Sequence, residues 1–129
     1  MRQHLLRIGL LPVVLAGCAA PSCQRTLSAE LLFGLARPGA AITEAEFVSF
    51  LDNSVTPRFP MGLTVFDGDG RWQRPDGHLT QERSKLVLIV TAPGLDTIAR
   101  LQAVRSDYKK RFDQQSVGMV LTPSCADFQ

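Results

Sequence analysis

Along residues 27–35, Leu27, Ala29, Leu31, Phe33 and Leu35 alternate with Ser28, Glu30, Leu32 and Gly34, a period of two that predicts a strand. Arg37-Pro38-Gly39 ends it. The period then changes. Thr43 and Glu46 are spaced as a capping box, and Ile42 and Phe47 stand where a hydrophobic staple would join them. Phe47, Phe50, Leu51 and Val55 share one face of the helix so started, Glu44, Glu46 and Asp52 face water, and Pro57 and Pro60 stop it. Residues 63–66 read as a second strand, Asp67-Gly68-Asp69-Gly70 as a tight turn, and residues 71–74 as a short returning strand before Pro75-Asp76-Gly77 turns again. Residues 85–90, KLVLIV, form the most apolar segment after the N-terminus and read as a central strand buried on both faces. Beyond Pro93-Gly94, a second helix is marked by Ile98, Leu101, Val104, Tyr108 and Phe112, and residues 116–122 predict a final strand.

The order β-α-β-β-α-β, with a decorated central hairpin, predicts an α+β ferredoxin-like sandwich whose right-handed crossovers put both helices on one face of the sheet. Both phases of the strands are apolar: Leu86, Leu88 and Val90 alternate with Val87 and Ile89, and Leu32 and Val120 add to the surplus. Two helices cover one face only. The other needs the hairpin or a second subunit, so the pattern leads to the expectation of a homodimer packed sheet to sheet, in the style of a dimeric α/β barrel.

The N-terminus has its own pattern. Arg2 and Arg7 precede an apolar run from Ile8 to Ala16, followed by Gly17 and Cys18, which is the order of a secretory signal and too short to span a bilayer as a helix. Leu15-Ala16-Gly17-Cys18 resembles the lipobox of bacterial lipoproteins, in which the cysteine thiol takes the lipid after cleavage. The alternatives are an ordinary cleaved signal and a core helix with a buried cysteine. The resemblance implies a signal peptide over 1–17, a lipidated tether over 18–25 and one domain over 26–129. Acyl chains anchor at ~0.8 kcal/mol per buried methylene. Ala19 in place of Asp implies the outer membrane, facing the periplasm. Cys23 and Cys125 stand near the two ends of the remaining chain, where a disulfide is favoured over two separate buried thiols.

Cleavage also changes the charge. The chain has 14 Lys+Arg and 12 Asp+Glu, but Arg2 and Arg7 leave with the signal, so the mature domain is formally neutral. Nucleic acid is thereby lost as an expected partner, since phosphates need a basic surface. Lys109-Lys110-Arg111 reads as the cationic last turn of a helix. No metal site is expected, because His78 is the one histidine after residue 17 and no paired-cysteine spacing exists. Nucleotide-binding glycine loops, the serine-hydrolase elbow and the zinc-protease motif are all missing, so no cofactor and no catalytic residue is assigned.

Six polar or amphipathic residues are candidates for binding. Arg58, fixed between Pro57 and Pro60, is pre-aimed at a carboxylate or phosphate, or else pairs internally with Asp67 or Glu82. Trp72, beside Arg71 and Arg74, is placed to stack on a ligand ring or to cover a sheet edge. Glu82 and Lys85 flank the entry to the central strand, as a proton-shuttling couple or an ion pair. Tyr108 falls on the apolar face of the second helix with its hydroxyl at the rim.

The segments ELLFG, ITEAEFVSFLDNSVTPRFPMGLTVFDGDGRW, ERSKLVLIV and YKKRFDQQSV, with a nearby terminal cysteine, are similar to a bacterial lipoprotein family, domain-of-unknown-function family 3574. Thr56-Pro57-Arg58-Phe59-Pro60 and the run from Gly62 to Trp72 carry most of the resemblance. Met61 departs from the acidic or amide side chain common before this glycine. The resemblance implies organisation and no activity. Three functions are therefore carried forward: an envelope module binding a small ligand or a protein through the Arg58 to Trp72 hairpin, a small enzyme of the dimeric α/β-barrel type with a cavity for an organic molecule, and a purely structural envelope lipoprotein.

Overall fold

The alternation at the start of the domain places its first strand in the middle of the sheet. In the computed structural model, which describes residues 23–128, β1 (Gln24–Gly34) buries Leu27, Ala29, Leu31 and Phe33 and pairs on both sides. A small hairpin of β2 (Ala36–Arg37) and β3 (Ala40–Ala41) follows, turning at Gly39 with φ 81°. α1 (Glu44–Phe50) carries the capping box: the Glu46 amide donates to Thr43 Oγ1 at 3.2 Å and the Thr43 amide donates to Glu46 Oε2 at 2.9 Å. Its last turn widens into a π-type turn over Leu51–Val55. Next come β4 (Thr64–Gln73), β5 (Leu79–Thr91), α2 (Leu95–Phe112) and β6 (Gly118–Ala126).

The four long strands form an antiparallel sheet in the order β4-β5-β1-β6, the ferredoxin-like arrangement. One face is packed against the helices. There Phe33, Phe47, Phe50, Tyr108 and Phe112 interlock edge to face, with Phe33 and Tyr108 centroids 4.6 Å apart and Phe50 and Tyr108 5.0 Å apart. Such pairs contribute roughly 0.5–1.5 kcal/mol each beyond area burial.

Four segments differ from the sequence expectation. Asp67-Gly68-Asp69-Gly70 is not a turn: all four residues pair, from Asp67↔Lys85 to Gly70↔Glu82, so β4 is one continuous edge strand and the turn comes at 74–78. Gln24 and Arg25, read as tether, are already strand, and β6 runs through Pro123 to Ala126. An edge strand tolerates that proline because one side of its backbone has no partner. The central strand, expected to be buried on both faces, is fully so on one. Val87 and Ile89 are sealed under the helices while Leu86, Leu88 and Val90 are half-buried.

Cys23 and Cys125 form a disulfide, with Cα atoms 5.4 Å apart, that clamps the start of β1 to the end of β6. Cys18 and residues 1–17, read from the sequence as a signal, lie outside the described residues. Among the described residues no helix is long and apolar enough to cross a membrane.

Candidate functional site

Side chains alternate across a strand, so the register sorts the candidate residues by face. Lys85 lies on the helix face. Its Nζ is 2.7 Å from both Glu44 Oε2 and Asp67 Oδ1, and its stem is buried beside the Phe47 ring. Hydrogen bonds to Asp67 first, and then to Glu44, raise the ammonium above its ordinary value. The same bond from Lys85 holds the Asp67 carboxyl below the usual range. Asp67 therefore stabilises the fold above the ordinary carboxylate value and loses this as pH falls through its lowered one. Lys85 does so below the ordinary lysine value and loses it as pH rises through its raised one.

Glu82 is three residues before Lys85, an odd step, and so faces the other way. The two cannot exchange a proton directly. Arg58 is not in the hairpin site either. Its guanidinium meets Asp107 of α2 at 2.8 Å and donates to the Ser54 carbonyl, while Arg100 donates to the Arg58 carbonyl at 2.6 Å. Arg58 thus ties the π-type turn to α2, and its partner is neither Asp67 nor Glu82.

The second sheet face is open among the described residues. Leu32, Phe66, Trp72 and Val120 are each 42–49% exposed there, and the hairpin lies in the plane of the sheet instead of folding over it. At the end of this face nearest the hairpin tip is a cleft of about 640 Å³, bounded by Trp72, Arg71 and Arg74 on one side, by Glu82 and Ser84 on its floor, and by Gln114 across from them. The floor is low because β4 presents glycine to it. A Cβ at Gly68 would come within 3.0 Å of Ser84 Oγ, and one at Gly70 would lie 3.5 Å from Trp72 Cζ3.

Glu82 is held in this cleft by backbone. Its Oε2 accepts from the Ala36 amide at 3.1 Å, and its carboxyl rests on Gly34 so closely that any Cβ there would collide with Oε1. The Gly34 carbonyl in turn accepts from the Tyr108 hydroxyl at 2.7 Å. Tyr108 is fully buried, and burial, with the Glu82 charge adding to it, pushes its phenol up. It supports the floor as a neutral donor. Burial likewise raises the Glu82 carboxyl, only partly offset by the Ala36 amide.

A raised carboxyl has a definite sign in stability. The folded state binds the proton more tightly than the unfolded chain, so Glu82 favours the fold at low pH and progressively less as pH rises above about 4. Glu82→Gln, which keeps an acceptor for Ala36, is expected to be more stable than the parent at pH 7 and no more stable near pH 4. Thermal melts across that range decide the matter. An equal loss at both pH values would mean that the lost geometry outweighs the desolvation.

Of the six candidates, the structure brings Trp72 and Glu82 into one cleft and places Tyr108 beneath it; Asp67, Lys85 and Arg58 work elsewhere. Gly34, Gly70 and Ser84 belong to the cleft and were not singled out. A glycine on a strand often marks close approach, a signal hidden when Gly68 and Gly70 are read as a turn. Among the described residues no cluster of His, Cys, Asp and Glu could hold a metal ion.

The fold is shared with solved structures. A phage SAM lyase in complex with S-methyl-5'-thioadenosine aligns over 79% of this chain and 85% of its own, with a TM-score of 0.60 and 20% identity. CutA from Synechococcus elongatus aligns over 78% of each chain with a TM-score of 0.52 and 10% identity. At such identities the likeness is one of fold. No curated protein matches the sequence. A family model described as a protein of unknown function, DUF3574, matches residues 28–128. That span takes in nearly all of the sheet and both helices, and the chain belongs to this family.

Proposed function

We propose that the chain is an exported lipoprotein, acylated on Cys18 and held at the outer membrane facing the periplasm, whose folded part binds a small flat organic molecule in the cleft between Trp72 and Glu82. Export is supported by the order of charge, apolar run, small residues and cysteine at the N-terminus, and by a disulfide suited to an oxidising compartment. The observation that carries the binding reading is the cleft itself. An exposed indole stands beside a floor without side chains, and a carboxyl whose only hydrogen bond among the described residues is to backbone points into the same space. A ring would stack on Trp72 while a cation or N–H donor met Glu82.

The same open face, through Leu32, Phe66 and Val120, is where a second copy would pack in a sheet-to-sheet homodimer, roofing the cleft. Light scattering on the unlipidated, disulfide-bonded domain is expected to give twice the chain mass, and a monomer would remove the dimer. Calorimetry on the same preparation tests the ligand. Its probes are S-methyl-5'-thioadenosine, the molecule held by the phage enzyme of this fold, and benzamidine, a flat cation. Trp72→Ala is expected to weaken binding of either by roughly tenfold, the size of one good stacking contact. Glu82→Gln is expected to weaken benzamidine more than the uncharged nucleoside. Failure of both probes to bind, or equal affinity in the variants, would sink the reading.

A second reading, an enzyme acting on a small organic molecule, is favoured by one feature. The raised Glu82 carboxyl is poised to hold or release a proton nearer neutrality than an ordinary carboxylate. Consumption of a bound probe, followed by NMR and lost in Glu82→Gln, would separate it from simple binding.

A further inference from the structure

The sheet has two unlike ends. β1 runs from the disulfide towards the cleft, and the register puts Gln24, Thr91 and Ala126 together at one end and Gly34, Ser84 and Gly118 towards the other. At the disulfide end, three separate segments each expose one large apolar side chain. Met61, before β4, is 94% exposed, Leu95, after β5, is 90% exposed, and Phe128, after β6, is 83% exposed. Met61 belongs to this end because Arg100, in the second turn of α2, stacks on the Phe59 ring and donates to the Arg58 carbonyl just before it.

Single exposed apolar residues are ordinary on protein surfaces. Of the four most exposed large apolar residues in the described chain, three are spread over the width of this one sheet end, and the fourth, Leu79 at 86%, stands at the hairpin tip. With strands ~4.8 Å apart the row from β4 to β6 spans roughly 15 Å. The position of the chain start decides what this row meets. Cys18 is five residues before Cys23, and a fully extended chain covers at most ~3.6 Å per residue, so acylation would bring the disulfide end within roughly 18 Å of the bilayer. Asp96, beside Leu95, has its charge answered by Arg100 at 3.0 Å.

The geometry points to a second membrane contact: Met61, Leu95 and Phe128 seat the disulfide end of the sheet in the lipid interface, and the Trp72–Glu82 cleft is thereby held out facing the aqueous compartment. This inference rests on the anchoring of Cys18 proposed above. The acyl chains supply the affinity and the three side chains supply the orientation, since interfacial binding grows with the apolar area inserted. Glu82 and Thr91 are nine residue steps apart on β5, which at ~3.4 Å per step is roughly 30 Å of strand between the lipid seat and the cleft.

The test uses the mature chain from residue 18. Cys18 carries the one thiol outside the disulfide, so it can be coupled to a maleimide-bearing phospholipid in phosphatidylcholine vesicles. Trp72, the sole tryptophan, reports on the cleft in the parent, and Leu95→Trp in a Trp72→Phe background reports on the seat. Replacing the lipid by its brominated form is expected to cut the seat's emission about two-fold or more and to leave the cleft's unchanged, because bromine quenches only groups within the bilayer. Phe128→Trp in the same background should repeat the result. Equal quenching at seat and cleft, or none at either, would overturn the inference. So would a blue-shifted Leu95→Trp signal that depends on protein concentration and ignores bromine, which would assign the seat to a second copy. Because the lipid is attached chemically, failure here leaves natural acylation untouched. Mass spectrometry of the chain from native cells tests that separately.

Discussion

Replacing Cys125 by serine is expected to lower the stability of the domain by several kcal/mol, with about 4.7 kcal/mol as the chain-entropy ceiling for so long a loop. The bond joins residues 102 apart in sequence and closes nearly the whole domain. Cutting it releases the denatured chain most, and in the native state it frees β6, an edge strand paired only with β1. Beside the bond, Ser124 Oγ lies 2.8 Å from Thr26 Oγ1 and 2.9 Å from Ser28 Oγ. These contacts keep the register without the covalent link but cannot restrict the unfolded chain. Urea denaturation should therefore show the same loss for Cys125→Ser, for the double variant with Cys23→Ser, and for the parent under reductant. Amide exchange should accelerate first along β6. A loss below about 1 kcal/mol would mean that the denatured state already keeps its ends together, which is the recognised weakness of the entropy model.

The elements were legible where a local signal and the tertiary fold agree. Thr43 and Glu46 set the start of α1 by hydrogen bonds that span three residues, and the Ile98 to Phe112 stripe is the face that α2 buries. The cleft was legible in its residues but not in its arrangement. Asp67-Gly68-Asp69-Gly70 has turn composition, and only the pairing with 82–85 of the neighbouring strand makes it extended: the aspartates face the helix side, where Lys85 and Arg83 answer Asp67, while the glycines leave room on the open side. Once β5 begins at Leu79, parity separates Glu82 from Lys85 and brings Glu82 opposite Gly70. Arg58 shows the other limit. Its partner Asp107 is on a different element, a choice made by packing that no local pattern contains. The open face was anticipated from the two apolar phases of the strands, because counting faces needs only periodicity.

Phe33→Ala is the other change expected to have a large effect, a loss of roughly 3–5 kcal/mol, as for other fully buried aromatic residues cut back to alanine. Its ring meets those of Phe47 and Phe50 at 5.7 Å and of Tyr108 at 4.6 Å, so the cavity opens at the centre of the aromatic cluster and cannot collapse by moving one neighbour. The consequence reaches the cleft. Phe33 immediately precedes Gly34, whose carbonyl Tyr108 holds and on which Glu82 rests. With that support loosened, Glu82 gains water and its carboxyl returns towards the ordinary range, so the pH 7 advantage of Glu82→Gln should shrink in the Phe33→Ala background. Leu101→Ala, at a fully buried position on α2 that does not line the cleft, is the control. It is expected to cost roughly 2–5 kcal/mol and to leave the difference between Glu82 and Gln intact. Chemical denaturation of the two double-mutant cycles reads both quantities. If the two backgrounds change the Glu82→Gln difference equally, the aromatic core stabilises the whole domain without shaping the cleft, and the raised carboxyl of Glu82 must come from its immediate neighbours alone.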